Sequence, residues 1–103
     1  MMLRRSAVAG LLAGAFSAAP ALAQQKVEVQ FWHAMSGVLG ERVDEIVKRF
    51  NASQDKYTVV ATYKGNYDEV INATIAAYRA KKAPQIVQIY ERGFMSMLLS
   101  GAI

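Results

Sequence analysis

The sequence has no cysteine, one histidine (His33) and no block of like charges. Without cysteine there can be no disulfide bond, zinc–thiolate site or thiol nucleophile, so stability must come from a packed core. The basic residues after Gln25 are scattered, which argues against a nucleic-acid-binding arm or a membrane-surface patch. Sequence motifs of phosphate-binding loops, serine-hydrolase elbows and zinc proteases are also missing. We therefore expect no catalytic residue, no metal and no cofactor.

The first 23 residues have the pattern of a cleavable secretory signal peptide. Arg4 and Arg5 give a positive start, residues 7–16 form a short uncharged segment, and small residues precede a cleavage site after Ala23. The alternative is a transmembrane anchor, which needs roughly 20 mostly apolar residues. Because much of this run is alanine, glycine and serine, we expect cleavage and export. The signal peptide is then residues 1–23.

The mature chain is small and nearly neutral. It has 80 residues, ten basic and eight acidic, which gives a net charge of about +2. A domain of this size buries just above ~60% of its unfolded surface, so an α/β unit without disulfides would be marginally stable alone. We therefore expect that residues 24–103 are only part of a larger fold.

Strand and helix patterns alternate along the mature chain. Period-two alternation and β-branched residues predict strands, and apolar residues at helical spacing predict helices. The predicted strands are 26–33, 57–64 and 85–90. A first helix follows the turn at 34–37 and ends near Asn51, a second follows Asn66 and ends at Lys81-Lys82, and a third covers 91–99. Asn66 is a good N-cap, and Glu69, three residues further on, brings the start of the second helix close to a capping box. This β-α-β-α-β-α order with short links predicts an α/β fold with a parallel sheet.

The loops that follow the three strands are the candidate functional region, because ligands of open parallel sheets bind beyond the carboxyl ends of the strands. Trp32 could stack on a ligand or pack in the core. His33 is more simply a structural hydrogen-bonding residue than a catalytic one. Tyr67 opens the second helix, where it could hold an anion together with backbone amides or could merely pack. Glu91 directly follows the third strand, where a buried carboxylate would need a partner. It could accept ligand hydroxyls or pair with Arg92 or Lys64.

Three segments carry a resemblance to a known family: FWHAMSGVLGERVDEIVKRFN (31–51), YKGNYDEVINATIAAYRAKKAPQIVQIYE (63–91) and MSMLLSGAI (95–103). They closely resemble the N-terminal part of the glycerol-3-phosphate-binding receptors among the periplasmic solute-binding proteins of ABC importers. Such receptors have two α/β lobes around a cleft, so the resemblance implies that residues 24–103 are the N-terminal part of lobe one. It also implies that Tyr67 hydrogen-bonds the phosphate and that Glu91 accepts the glycerol hydroxyls.

The same resemblance implies the ligand, partners and activity. The ligand would be sn-glycerol 3-phosphate, with glycerophosphodiesters as further candidates, and the membrane subunits of the importer would be the protein partners. The receptor would be a monomer without enzymatic activity. Three alternatives stay open: a receptor for a neutral sugar or oligosaccharide on the same fold, a small stand-alone exported interaction domain, and a secreted hydrolase that uses His33 and Glu91 as acid and base.

Overall fold

The computed structural model describes residues 25–103, so the predicted signal peptide and its cleavage site lie outside the described residues. Within the described part, no helix is both long enough and apolar enough to cross a membrane. The elements are β1 (Val27–His33), α1 (Gly37–Ser53), β2 (Tyr57–Tyr63), α2 (Tyr67–Arg79), β3 (Ile86–Val87), a 3₁₀ turn (Glu91–Gly93) and α3 (Phe94–Ser100).

The three strands form one parallel sheet in the order β2-β1-β3. β1 and β2 pair along their whole length, from Val27 opposite Tyr57 to His33 opposite Tyr63. The predicted α/β class with a parallel sheet is therefore confirmed. Because the strands are parallel and aligned, the loops that follow them leave from the same edge of the sheet, which we call the rim.

The third strand is shorter than predicted. A strand over 85–90 was expected, but only the two residues of β3 pair with β1. The side chains of two glutamines complete the pairing: the N–H of Gln30 donates to Gln85 Oε1 at 2.7 Å, and the N–H of Ala34 donates to Gln88 Oε1 at 3.0 Å. These two backbone donors are thus satisfied by side-chain amides rather than by a longer third strand.

The first helix extends further than predicted. It continues past Asn51 to Ser53, and Ser36 occupies the N-cap position without a side-chain cap hydrogen bond. The side chain of Asn51 instead ties the helix to β2, since its Nδ2 donates to the carbonyl of Val59 at 2.9 Å and its Oδ1 accepts from the N–H of Val59 at 2.8 Å. This amide caps the free edge of β2 as another strand would.

The second helix begins where the sequence predicts. Asn66 Oδ1 accepts from the N–H of Glu69 at 2.9 Å, and Glu69 Oε1 accepts from the N–H of Asn66 at 3.2 Å. These reciprocal bonds are the capping box that the spacing of the two residues indicated. The predicted third helix is divided into the 3₁₀ turn and α3, which stops at Gly101 in the left-handed conformation with φ of 79°.

The buried core lies on the side of α2 and α3. Within residues 25–103 the buried apolar side chains are Val70, Ile71 and Met97, and Thr74 is buried with its hydroxyl donating to the Val70 carbonyl at 2.7 Å. By contrast α1 has no buried residue. Four of its large apolar side chains are exposed, and Val43 and Val47 are half-buried; the exposed ones are Val38, Leu39, Ile46 and Phe50. The core therefore secures α2 and the rim loops beside it, and leaves one face of the unit uncovered.

Candidate functional site

The loops that follow β2 and β3 meet at the rim through two tyrosines. The rings of Tyr67 and Tyr90 stack with their centroids 5.0 Å apart and an angle of 31° between their planes. The hydroxyl of Tyr90 donates a hydrogen bond of 2.7 Å to Oδ1 of Asp68, in the first turn of α2. Tyr90 thus contacts Tyr67 and Asp68, the first two residues of α2.

This hydrogen bond changes the acidity of Tyr90. The bond to Asp68 is the main cause of a raised pKa, and loss of solvent and the negative charge of Asp68 act in the same direction. Because an ordinary tyrosine has a pKa of about 10, the Tyr90 hydroxyl stays protonated at neutral pH and remains a donor. The hydroxyl can therefore donate to Asp68 throughout the physiological pH range.

Tyr67 is half-buried at the start of α2. The turn before it requires Gly65, which has φ of 104° and whose Cβ, if present, would lie 2.6 Å from the carboxyl carbon of Glu69. The capping box uses the N–H of Glu69, and the first turn also carries the carboxylates of Asp68 and Glu69. Because these negative charges already stabilise the helix N-terminus, an anion here would depend mainly on the Tyr67 hydroxyl and less on backbone amides than the sequence suggested.

Glu91 is exposed at the start of the 3₁₀ turn and lines a cavity of about 360 Å³ together with Ile89, Tyr90 and Phe94. The expectation that its carboxylate is desolvated, and so needs a partner, is therefore wrong for this structure. Its suggested ion pair with Arg92 or Lys64 is not formed either: the ion pair found among the described residues is Arg42–Glu45. Since Glu91 follows Tyr90 in the chain, it lies on the same edge as Tyr67.

Lys64 and Trp32 form a contact of their own at the rim. The Nζ of Lys64 lies 4.1 Å from the centroid of the Trp32 ring, which is the geometry of a cation–π interaction. Both residues are half-buried. The sequence left Trp32 open between a ligand-stacking and a core role, and the structure shows its ring partnered by a lysine of the next loop.

His33 is buried, with 3% of its surface exposed. Its Nδ1 accepts from the N–H of Met35 at 3.1 Å, and its ring lies between those of Phe31 and Tyr63, at centroid distances of 5.5 and 6.2 Å. This is the structural role that the sequence favoured. The hydrolase alternative paired His33 with Glu91, but His33 is buried at the end of β1, Glu91 is exposed after β3, and the two residues line different cavities.

A cavity of about 390 Å³ lies between the start of α1 and the ends of β1 and β2, and sequence reasoning did not find it. Its lining includes His33, Ser36, Glu41, Asp44 and Tyr63. Residues so far apart in the chain give no local signal of a shared cavity. In the described residues no three acidic or histidine side chains come close enough together to hold a metal ion.

Comparisons with known proteins agree with the fold and with the motifs. No family model matches the sequence. The chain is 53% identical over 76 residues to the sn-glycerol-3-phosphate-binding periplasmic protein UgpB of Yersinia pestis bv. Antiqua, a match that covers 74% of this chain and 17% of the relative. It is 48% identical over 81 residues to the protein of the same name from Escherichia coli K12, covering 79% of this chain and 18% of the relative.

A solved structure gives the same result for the fold. The cyclic alpha-maltosyl-1,6-maltose binding protein from Arthrobacter globiformis superimposes with a TM-score of 0.56 and 26% sequence identity, over 60% of this chain and 16% of that protein. The chain therefore has the fold of one part of a protein of the sugar-binding class. Within that class, the resemblance to the sn-glycerol-3-phosphate-binding periplasmic proteins is confirmed. The chain spans 17 to 18% of the length of these curated relatives.

Proposed function

We propose that this chain is the N-terminal part of lobe one of a periplasmic receptor that captures sn-glycerol 3-phosphate for an ABC importer. The observation that carries the proposal is the position of Tyr67 and Glu91 on one edge of the sheet, connected by the stacking of Tyr90 on Tyr67. The relatives named for binding this ligand support the choice of ligand.

The two residues suit opposite ends of glycerol 3-phosphate. The Tyr67 hydroxyl would donate to a phosphate oxygen, and the carboxylate of Glu91 would accept hydrogen bonds from the glycerol hydroxyls. A carboxylate belongs at the polyol end because it would repel the phosphate dianion. Neither residue is positively charged, so groups beyond this pair have to balance the phosphate charge.

The rest of the proposal follows from this role. The receptor acts as a monomer in the periplasm after cleavage behind Ala23, delivers its ligand to the membrane subunits of the importer, and uses neither a cofactor nor catalysis. A receptor for a neutral oligosaccharide is the second candidate, because the matched solved structure is named for a cyclic maltosyl-maltose.

The test is calorimetric titration of the complete gene product, meaning this chain with any residues that its gene adds. We expect saturable binding of sn-glycerol 3-phosphate that maltose does not displace. Tyr67→Phe and Glu91→Gln should each weaken binding about tenfold, the equivalent of roughly one hydrogen bond to a charged group. Tyr78→Phe, which removes a hydroxyl from an exposed tyrosine later in α2, is the matched control and should bind like the wild type.

Two other outcomes have clear meanings. Binding of a neutral oligosaccharide without binding of glycerol 3-phosphate would establish the second candidate. Binding of glycerol 3-phosphate that is unaffected by Tyr67→Phe and Glu91→Gln would keep the function and reject these residues as its ligands.

A further inference from the structure

Helix α2 and the segment that contains Glu91 are joined at two points, one helical turn apart. At the rim, Asp68 accepts the hydrogen bond from Tyr90. Deeper in the core, Ile71 contacts Gly93 so closely that a Cβ on Gly93 would lie 2.0 Å from Ile71 Cδ1. We call these four residues the junction. Positions 68 and 71 share one helix face, because residues three apart on a helix are neighbours.

The deep half of the junction is buried and closely packed. Gly93 is buried, and so is Ile71, with 5% of its surface exposed. The N–H of Gly93 donates to the carbonyl of Tyr90 at 2.9 Å, which closes the turn between the two halves. At the outer end of the turn, the hydrogen bond of Tyr90 to Asp68 and its ring contact with Tyr67 hold the turn against the start of α2.

The outer half of the junction lies directly beside the two proposed ligand residues. Asp68 follows Tyr67, and Tyr90 precedes Glu91. The hydrogen bond between Asp68 and Tyr90 therefore limits how far apart Tyr67 and Glu91 can lie. We propose that Asp68 and Tyr90 are positioning residues, whose hydrogen bond and ring contact hold Tyr67 and Glu91 at the spacing that glycerol 3-phosphate requires. This inference rests on the proposed function.

A direct ligand role for the Tyr90 hydroxyl makes the opposite prediction. If that hydroxyl bound the ligand, removal of Asp68 would free it and would also remove a negative charge, and binding of an anion would improve. If the hydrogen bond positions Tyr67 and Glu91, removal of Asp68 weakens binding despite the more favourable charge. The Asp68→Ala variant therefore separates the two roles by the sign of its effect.

The experiment measures the affinity of the complete gene product for sn-glycerol 3-phosphate in Asp68→Ala, Tyr90→Phe, their double variant and Asp68→Asn. We expect the two single variants to bind about tenfold more weakly, since small displacements of positioning groups have effects of this size or larger. The double variant should bind no more weakly than either, because both changes break one contact. Asp68→Asn retains an oxygen acceptor and should recover at least half of the loss in free energy.

Hydrogen exchange of the Gly93 amide, followed by mass spectrometry on the same proteins, gives a second readout. It should become faster in Asp68→Ala and Tyr90→Phe and remain slow in the Tyr78→Phe control. Faster exchange with unchanged affinity would show that the bond only stabilises the fold and would overturn the positioning role, as would tighter binding by Asp68→Ala. Absence of binding by the wild type would reject the proposed function itself, and the positioning role with it.

Discussion

Tyr90 connects two loops through a single side chain, and its hydroxyl bonds to a residue 22 positions earlier in the sequence. The sequence places Tyr90 and Tyr67 in loops at the same rim, because both follow strands of one parallel sheet. It gives no indication that they stack, since the contact depends on how closely the 3₁₀ turn approaches α2. That approach is determined by Gly93, which packs against Ile71.

The raised pKa of Tyr90 gives a prediction about pH. Because the folded-state pKa lies above the unfolded value of about 10, the stabilisation from this group is fully present below about pH 10 and is lost as the pH rises through the folded-state pKa. Titration of the tyrosinate absorbance of the complete gene product should show a late titration, meaning a tyrosine that ionises at a higher pH than an ordinary tyrosine does. Asp68→Asn should lower that pKa, because the carboxylate is its main cause.

Two variants check this assignment. Tyr90→Phe should remove the late titration, whereas Tyr78→Phe should leave it in place. Titration curves of wild type and Tyr90→Phe that differ only by an ordinary tyrosine would contradict the prediction.

The packing of Gly93 gives a second prediction at the same scale. Gly93→Ala should lower the free energy of unfolding by about 1–3 kcal/mol, the usual effect of an extra methyl group in a packed core. Backbone strain contributes nothing, since Gly93 has an ordinary φ of −83°. The measurement is urea unfolding of the complete gene product.

Ile71→Val is the matching variant because it removes the Cδ1 that the new methyl group would meet. Alone it should cost about 0.5–1.5 kcal/mol. Combined with Gly93→Ala, the total loss should be smaller than the sum of the two single losses. If the two losses in free energy are strictly additive, the methyl group of the alanine does not meet Ile71 Cδ1, and the prediction is contradicted.

At the scale of elements, what the sequence could predict depends on how local each signal is. The capping box of α2 lies within four residues, and its prediction was correct. The length of β3 could not be predicted, because the bonds that replace its ends come from glutamine side chains paired with backbone 54 and 55 residues away. The exposure of Glu91 was missed for a related reason: the segment after β3 leaves the sheet early, so the residue that follows it is not at the end of a buried strand.

The contribution of the capping box to stability can be measured by comparing Asn66, the N-cap of α2, with Asn72, an asparagine inside that helix. Asn66→Ala removes the acceptor for the Glu69 N–H and should destabilise the complete gene product by about 0.5–2 kcal/mol. Asn72→Ala changes an exposed asparagine inside α2, where alanine has the higher helix propensity, and should stabilise it by up to about 0.7 kcal/mol. Thermal unfolding of both variants measures the difference. Effects of equal sign would show that the cap contributes nothing specific.

At the scale of the whole molecule, the described residues bury little apolar surface. Three apolar side chains form the buried core of residues 25–103, while Val38, Leu39, Ile46 and Phe50 of α1 are exposed. The sequence indicated a marginal unit from chain length alone, but only the structure shows which face is uncovered. The part of the rim that carries Tyr67 and Glu91 lies on the α2 side, where the core exists, so the candidate site is on the best-packed part of this unit.

This distribution predicts how residues 24–103 behave when produced without any further residues. We expect a free energy of unfolding below about 3 kcal/mol, as is common for cores of this size without disulfides, together with strong binding of a dye that detects apolar surface.

Two variants of this peptide test the expectation. Leu39→Gln changes an exposed side chain and should reduce dye binding with little loss of stability. Met97→Ala empties a fully buried position, which typically costs 2–5 kcal/mol, and should abolish the folded state. The same peptide should not bind glycerol 3-phosphate measurably, because Tyr67 and Glu91 supply no positive charge. A cooperative transition of 5 kcal/mol or more, with little dye binding, would favour a stand-alone exported domain over a part of a receptor lobe.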